Sequence, residues 1–197
     1  MPNRTLYLCY FGVREPLVQT QVIPYLVEIG KSDIITSLLT FEPEAIGQAD
    51  ADKLRSELLA KGIAWSWLNY HKRPSAIATA YDIFRGTIYV WNYVRRDKPA
   101  VLHCRVHVPG VMAALARKLS RHKPRIIFDI RGFFPEEFVD AGIWPAGGWL
   151  FKTAKRVERW LMGESDGFVV LTEKARELLF PESADNGYDK FGRPVEV

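Results

Sequence analysis

Short apolar runs recur along the chain at 6–11, 34–41, 63–68, 100–104, 126–128 and 167–171, and each is followed by a stretch with a different period. In those stretches apolar residues return every three or four positions, as one face of a helix requires. They are Val18, Val22, Leu26 and Ile29; then Leu54, Leu58 and Leu59; then Ile77, Tyr81, Phe84, Ile88 and Trp91. The pattern repeats with Val111, Met112, Leu115 and Leu119, and with Leu150, Ala154, Val157 and Leu161. Strands that alternate with helices predict right-handed βαβ crossovers and a parallel sheet covered on both faces. The expected architecture is therefore a three-layer α/β domain with a sheet of about six or seven strands.

Local signals refine the elements. Pro24 falls inside the first helix, where it removes a hydrogen bond and presses on the carbonyl of Thr20, so a kink is expected near Gln21. Gly62 closes the second helix, and Thr172 is placed to cap a helix over 173–180. The aromatic stripe from Ile77 to Trp91 is expected to face the core. In the next helix Val111, Met112, Leu115 and Leu119 should point inward, with Arg117, Lys118 and Arg121 outward. Residues 181–194 turn to Ser, Asp, Asn, Gly and Pro, a polar linker, and Val195, Glu196 and Val197 then read as the start of a new strand that stops at once. A chain ending as an element begins reads as a cut one.

At 197 residues the chain makes one large domain or a domain and a half, long enough to bury roughly 70% of its unfolded surface. Hydrophobic residues at 48% and charged residues at 25% exclude a disordered or fibrous chain, and a net charge of +4 favours an anionic partner without specifying it. The two cysteines, Cys9 and Cys104, each lie in an apolar run, which excludes a disulfide framework and a Cys metal motif and points to a reducing, cytoplasmic compartment. The first apolar run, about six residues long, is too short for a signal-peptide core, and none approaches the roughly 20 residues of a membrane span.

Candidate chemistry gathers after the fifth strand, in RIIFDIRGFFPEEFVDAGIW. Ile126, Ile127 and Phe128 bring Asp129, Arg131 and Gly132 to the end of a buried strand, with Glu136 and Glu137 in the loop beyond. In open α/β sheets ligands bind outside the carboxyl ends of the strands, the alternative being an Asp to Arg pair that closes a loop. As sequence neighbours Glu136 and Glu137 point apart, so at most one faces a cleft. Gly12, after the first strand, either permits close backbone approach to an anion at the following helix start or is an ordinary turn glycine. The loop FGVREP lacks G-x-G-x-x-G, and no G-x-x-x-x-G-K-[ST] occurs, which argues against nicotinamide, flavin and P-loop chemistry. His103, Arg105 and His107 alternate on an extended segment. Arg is no metal ligand, so the three suit a polyol or phosphate better than zinc, with a structural role for His103 equally open.

Lys152, Lys155, Arg156 and Arg159 form one basic helical stripe. It is either a solvated face or a weak, reversible contact with the anionic inner face of a membrane, at about 1 kcal/mol per basic residue. Without interleaved aromatics or a reader motif it does not fit nucleic acid.

Three segments in order carry a family resemblance: YFGVREPLVQTQVIPYLVEIGKSDIITSLLTFE, LHCRVHVPGVMAALARKL, and FDIRGFFPEE through DGFVVLTEKAREL. Together they resemble the N-terminal domain of glycosyltransferase family 4, over roughly residues 5–180. The resemblance implies the GT-B fold, two Rossmann-like domains facing across a cleft, the first holding the acceptor and the second a nucleotide sugar. It further implies transfer with retention of configuration, no metal and no cofactor, the nucleotide sugar being a substrate. Gly12 matches a glycine of the family's first loop, which often has two adjacent glycines where this chain has Val13 and then Arg14. His103 and Arg105 match polar positions after the fourth strand. Asp129 matches the place where many relatives carry a histidine facing the reacting sugar, and Arg131 with Glu136 fits the subgroup with D-x-R-G and a following acid. The implied site is thus Asp129 as catalytic residue, with Gly12, Arg14, His103, Arg105, Arg131 and Glu136 binding substrate. The chain divides as 1–180, a Rossmann-like acceptor domain, and 181–197, a linker and crossover toward an absent donor domain, and the acceptor half should have little or no activity alone. A rival reading is a non-catalytic module that binds a small anion or partner protein through Gly12 and the basic stripe.

Overall fold

The computed structural model describes residues 3–73 and 75–197. One seven-stranded, wholly parallel sheet runs through it, formed by β1 (Arg4–Cys9), β2 (Ile35–Glu42), β3 (Ile63–Asn69), β4 (Val101–Arg105), β5 (Arg125–Ile130), β6 (Gly167–Val170) and β7 (Val195–Glu196). Their spatial order is β3-β2-β1-β4-β5-β6-β7. The helices are α1 (Ile23–Gly30), α2 (Gln48–Ala60), α3 (Ser75–Asp97), α4 (His107–Leu119), α5 (Phe134–Asp140), α6 (Trp149–Glu164) and α7 (Glu173–Leu179). The architecture is the Rossmann-like α/β one predicted. The segment after α7 makes a short 3-10 turn, Pro181–Ser183, and its last residues join the sheet as β7 beside β6.

Strand side chains alternate between the two sheet faces, and the alternation separates two cores. Leu6 and Leu8 enter one with Leu39, Phe41, Leu102, Phe128 and the small residues of α4, whereas Tyr7 and Cys9 enter the other with Leu26, Leu38, Leu58 and Ile63. Cys9 and Cys104 therefore lie in different layers, both buried and unbonded. Burial pushes the Cys9 thiol up to about 12.

The chain winds outward from β1 through β2 to β3, then returns through α3 to β4 on the other side of β1. That reversal is a topological switch point at the carboxyl ends of β1 and β4, the place where such sheets bind ligands.

Three local expectations meet the structure. The irregularity expected near Gln21 is a π-helical turn, Val18–Val22, which runs without a break into α1, so that Pro24 lies within a continuous helical stretch. Thr172 caps α7 by accepting the amide of Ala175. Of the face assigned to α3 only Trp91, partly buried, packs against the core. Ile77 (71% exposed), Tyr81, Phe84 and Ile88 face outward, and Ala78, Asp82, Gly86, Val90, Tyr93 and Val94 are buried. Both stripes have helical spacing, so the period could not choose between them. Close packing on α4 did: a Cβ on Gly86 would collide with Met112 Sδ, so the small residues must face inward. For the same reason α4 buries Met112, Ala113, Ala114 and Ala116, while Leu119 is 64% exposed rather than inward.

Candidate functional site

Parallel register aligns Tyr7 with His103, and Cys9 with Arg105 and Asp129, on the sheet face covered by α1. Asp129 is fully buried at the centre of a polar cluster on that face. Its Oδ2 accepts the Tyr7 hydroxyl at 2.9 Å and lies 3.8 Å from His103 Nε2 and 4.0 Å from Arg105 Nη1. Its Oδ1 forms a 2.6 Å ion pair with Arg131 Nε. Helical residues cover the cluster: Arg105 donates to Gln21 Oε1 at 2.7 Å, and the Tyr25 hydroxyl sits 3.5 Å from His103 Nδ1.

Burial alone would push the Asp129 carboxyl up, but the cationic neighbours His103 and Arg131 outweigh it, and the net direction is down. Burial raises the Tyr7 hydroxyl, with Asp129 adding to it. The carboxylate is thus held ionised among three potential cations, of which Arg131 is the most exposed, at 26% of its side chain. A buried charge so surrounded fixes the positions of its partners.

A second assembly shapes the loop after β1. Glu42, buried at the end of β2, accepts the amide of Val13 at 2.8 Å and the hydroxyl of Thr40. Gly12 is required here: a Cβ would stand 2.8 Å from Glu42 Oε2 and 3.0 Å from Pro43 Cδ. Burial raises the Glu42 carboxyl, and the hydrogen bonds from Thr40 and Val13 offset this only in part. Glu42 was missed in the sequence because an acid ending an apolar run looks like an ordinary strand boundary. Arg14 points away from the cluster and pairs at the surface with Asp50 at 2.9 Å.

Between β4 and α4, Val106 adopts φ 64°, ψ −176°, a region otherwise left to glycine, while its N–H bonds to the Asp129 carbonyl at 3.0 Å. This sharp turn breaks the alternation expected for His103, Arg105 and His107. The first two face the Asp129 cluster, and His107 is carried to the other side of the sheet. There His107 Nε2 lies 3.3 Å from Glu158 Oε2, its ring against Phe128 and Phe134. Lys155 bridges Glu158 to Glu136, which it meets at 3.0 Å. Glu136 therefore belongs to this second charged group, and Glu137 is exposed, the two pointing apart as neighbours should. Lys155 is likewise drawn out of the basic stripe, leaving Lys152, Arg156 and Arg159 exposed.

Among the described residues no three His, Cys, Asp or Glu side chains are grouped to hold a metal ion, and no helix is long and apolar enough to cross a membrane.

The chain belongs to the Glycosyl transferase 4-like domain family, which it matches over residues 37–186. Among curated proteins no sequence matches it. Solved structures share its fold at low identity. UGT2 of Phytolacca americana, complexed with UDP-2fluoro-glucose and pterostilbene, has a TM-score of 0.63 at 10% identity over 98% of this chain and 53% of its own. The lipopolysaccharide outer core galactosyltransferase WaaB in its apo form gives 0.56 at 10% identity over 98% and 44%. CalG4, the calicheamicin glycosyltransferase, gives 0.56 at 11% over 89% and 49%. The chain thus spans about half the length of these structures, and in architecture it is the N-terminal half-domain of a GT-B glycosyltransferase.

Proposed function

We propose that this chain is the acceptor-binding half of a retaining glycosyltransferase, which moves a sugar from a nucleotide sugar to a saccharide or lipid-linked acceptor. The observation that carries the reading is the Asp129 cluster at the switch point between β1 and β4, in a chain of this family. In the proposed reaction the acceptor hydroxyl oxygen bonds to the anomeric carbon as the bond from that carbon to the diphosphate oxygen breaks on the same face. The hydroxyl proton passes to the departing diphosphate. Asp129, enclosed as it is, acts through its neighbours: it orients His103 and Arg105 and sets Arg131 at the cleft, where a guanidinium stabilises an anionic or polyhydroxyl ligand. Gly12 and Glu42 hold the first loop close to the substrates. Glu136 contacts substrate only by leaving Lys155, and Arg14 only by leaving Asp50. Lys152, Arg156 and Arg159 give at most weak attachment to an anionic membrane.

Because transition-state stabilisation needs both walls of a cleft, the half has little or no activity alone. Calorimetric titration of the chain with UDP-glucose tests this: binding should be weaker than about 1 mM, some 4 kcal/mol. Micromolar binding would instead favour a self-sufficient small-ligand module.

A further inference from the structure

At the carboxyl end of β3, outside the Asp129 cluster, an exposed imidazole is locked by a buried acid. Asp82, on the inward face of α3, is fully buried. Its Oδ2 accepts the Tyr10 hydroxyl at 2.7 Å and the backbone N–H of His71 at 3.0 Å, and its Oδ1 lies 2.6 Å from His71 Nδ1. A carboxylate accepts only, so the hydrogen of that last contact resides on Nδ1 and the tautomer is set. In the neutral ring the opposite nitrogen, Nε2, is then the acceptor. The His71 side chain is 45% exposed, and among the described residues Nε2 has no hydrogen-bond partner.

The surroundings are aromatic. The Tyr81 ring, 45% exposed, meets the His71 ring edge to face at 5.1 Å, and Tyr70 meets Tyr10 in the same way at 5.1 Å. Tying the ends of β1 and β3 to α3 needs only the Tyr10 hydroxyl and the His71 amide. The lock in addition satisfies the enclosed Asp82 carboxyl through Nδ1, and it leaves the opposite edge of the ring at the surface. A flat apolar ring beside a rigid acceptor is the complement of a sugar, whose C–H face packs on the ring while a hydroxyl donates to nitrogen. β3 stands two strands from β1, about 10 Å at ordinary strand spacing. A group bound here lies apart from the reacting hydroxyl.

We propose that His71, oriented by Asp82, and the exposed ring of Tyr81 form a saccharide subsite that holds a remote sugar unit of the acceptor. The proposal rests on the reading of this half as the acceptor side.

The test applies the chain to a printed oligosaccharide array and titrates the strongest-bound glycan by calorimetry. Tyr81→Ala, at an exposed position, should weaken binding at least tenfold with its thermal melt unchanged, and His71→Ala should weaken it as much when read at a temperature where that variant, which leaves Asp82 Oδ1 unpaired, remains folded. His71→Gln, whose amide oxygen can still accept, should recover part of the loss. Nitrogen chemical shifts should show His71 protonated at Nδ1, and the opposite tautomer would overturn the proposal. Equal binding by all variants would also overturn it, leaving the acceptor reading intact. If the unaltered chain captures no glycan, the subsite is refuted. The acceptor reading then fails too unless the complete gene product transfers sugar to a non-saccharide acceptor.

Discussion

Glu42 Oε1 receives the backbone N–H of Val13 at 2.8 Å, so one buried carboxyl at the end of β2 fixes the loop that follows β1. The missing Cβ of Gly12 leaves the space in which that carboxyl lies. Gly12→Ala should therefore destabilise the domain by about 1–3 kcal/mol. In Gly12→Ala/Glu42→Ala the cost should fall short of the sum, since the second change removes the atom that the new methyl meets. Urea denaturation of the two single variants and the double variant measures the coupling, and strict additivity would show that the loop and Glu42 are independent.

Asp129 compensates buried cations, and removing its charge leaves them unpaired. Asp129→Asn preserves shape but should cost about 3–5 kcal/mol, the penalty of breaking a buried pair from one side. Arg131→Gln, at the more exposed partner, should cost distinctly less. Equal losses in chemical denaturation would contradict the central place given to Asp129.

Asp129 and Glu42 give opposite pH dependences. The folded-state pKa of Asp129 is lowered, so its stabilisation is present above the unfolded value of about 3.9 and is lost as pH falls through the folded one. That of Glu42 is raised, so its contribution is complete below about 4.3 and is lost as pH rises through the folded value. Glu42→Gln should flatten stability on the neutral side, and Asp129→Asn should flatten it on the acid side. Urea midpoints across a pH series check both signs, and parallel curves for the variants and the parent would refute the assignment.

Val106 holds a β-branched side chain at φ 64°. Val106→Gly should relieve strain of about 1–3 kcal/mol, less the entropy that glycine adds to the unfolded chain, giving a net gain in midpoint. A marked loss of stability would mean that the backbone at this turn is not strained.

The outward turn of α3 is open to an equally direct check. Phe84→Ser, at an exposed position, should change stability by no more than about 0.5 kcal/mol, whereas Gly86→Val, against Met112, should cost several times that. The reverse order would restore the aromatic stripe to the core.

The fold was legible because parallel strands buried on both faces read as continuous apolar runs, and six of the seven strands announce themselves so. The last, two residues long, shows only as the Val195–Glu196 fragment. Asp129 was legible because a charged residue that closes such a run stands at the strand end, where a parallel sheet meets its ligands. What escaped depends on tertiary contact. Two stripes of α3 share one period, and only the closeness of α4 decides which is buried. His107 follows its alternating partners in sequence, yet a single positive φ at Val106 sends it to another layer. Glu42 and Asp82 are single acids whose burial comes from elements far away in the chain.

The most direct test of the proposed function is transfer by the complete gene product. Incubated with a panel of nucleotide sugars and an oligosaccharide acceptor, it should release nucleoside diphosphate in step with a lengthened product whose new linkage keeps the donor's anomeric configuration. Asp129→Asn, kept at a temperature where it remains folded, should lower that rate at least a hundredfold, roughly 3 kcal/mol of barrier. No transfer from any nucleotide sugar, or full activity in the folded Asp129→Asn variant, would contradict the account.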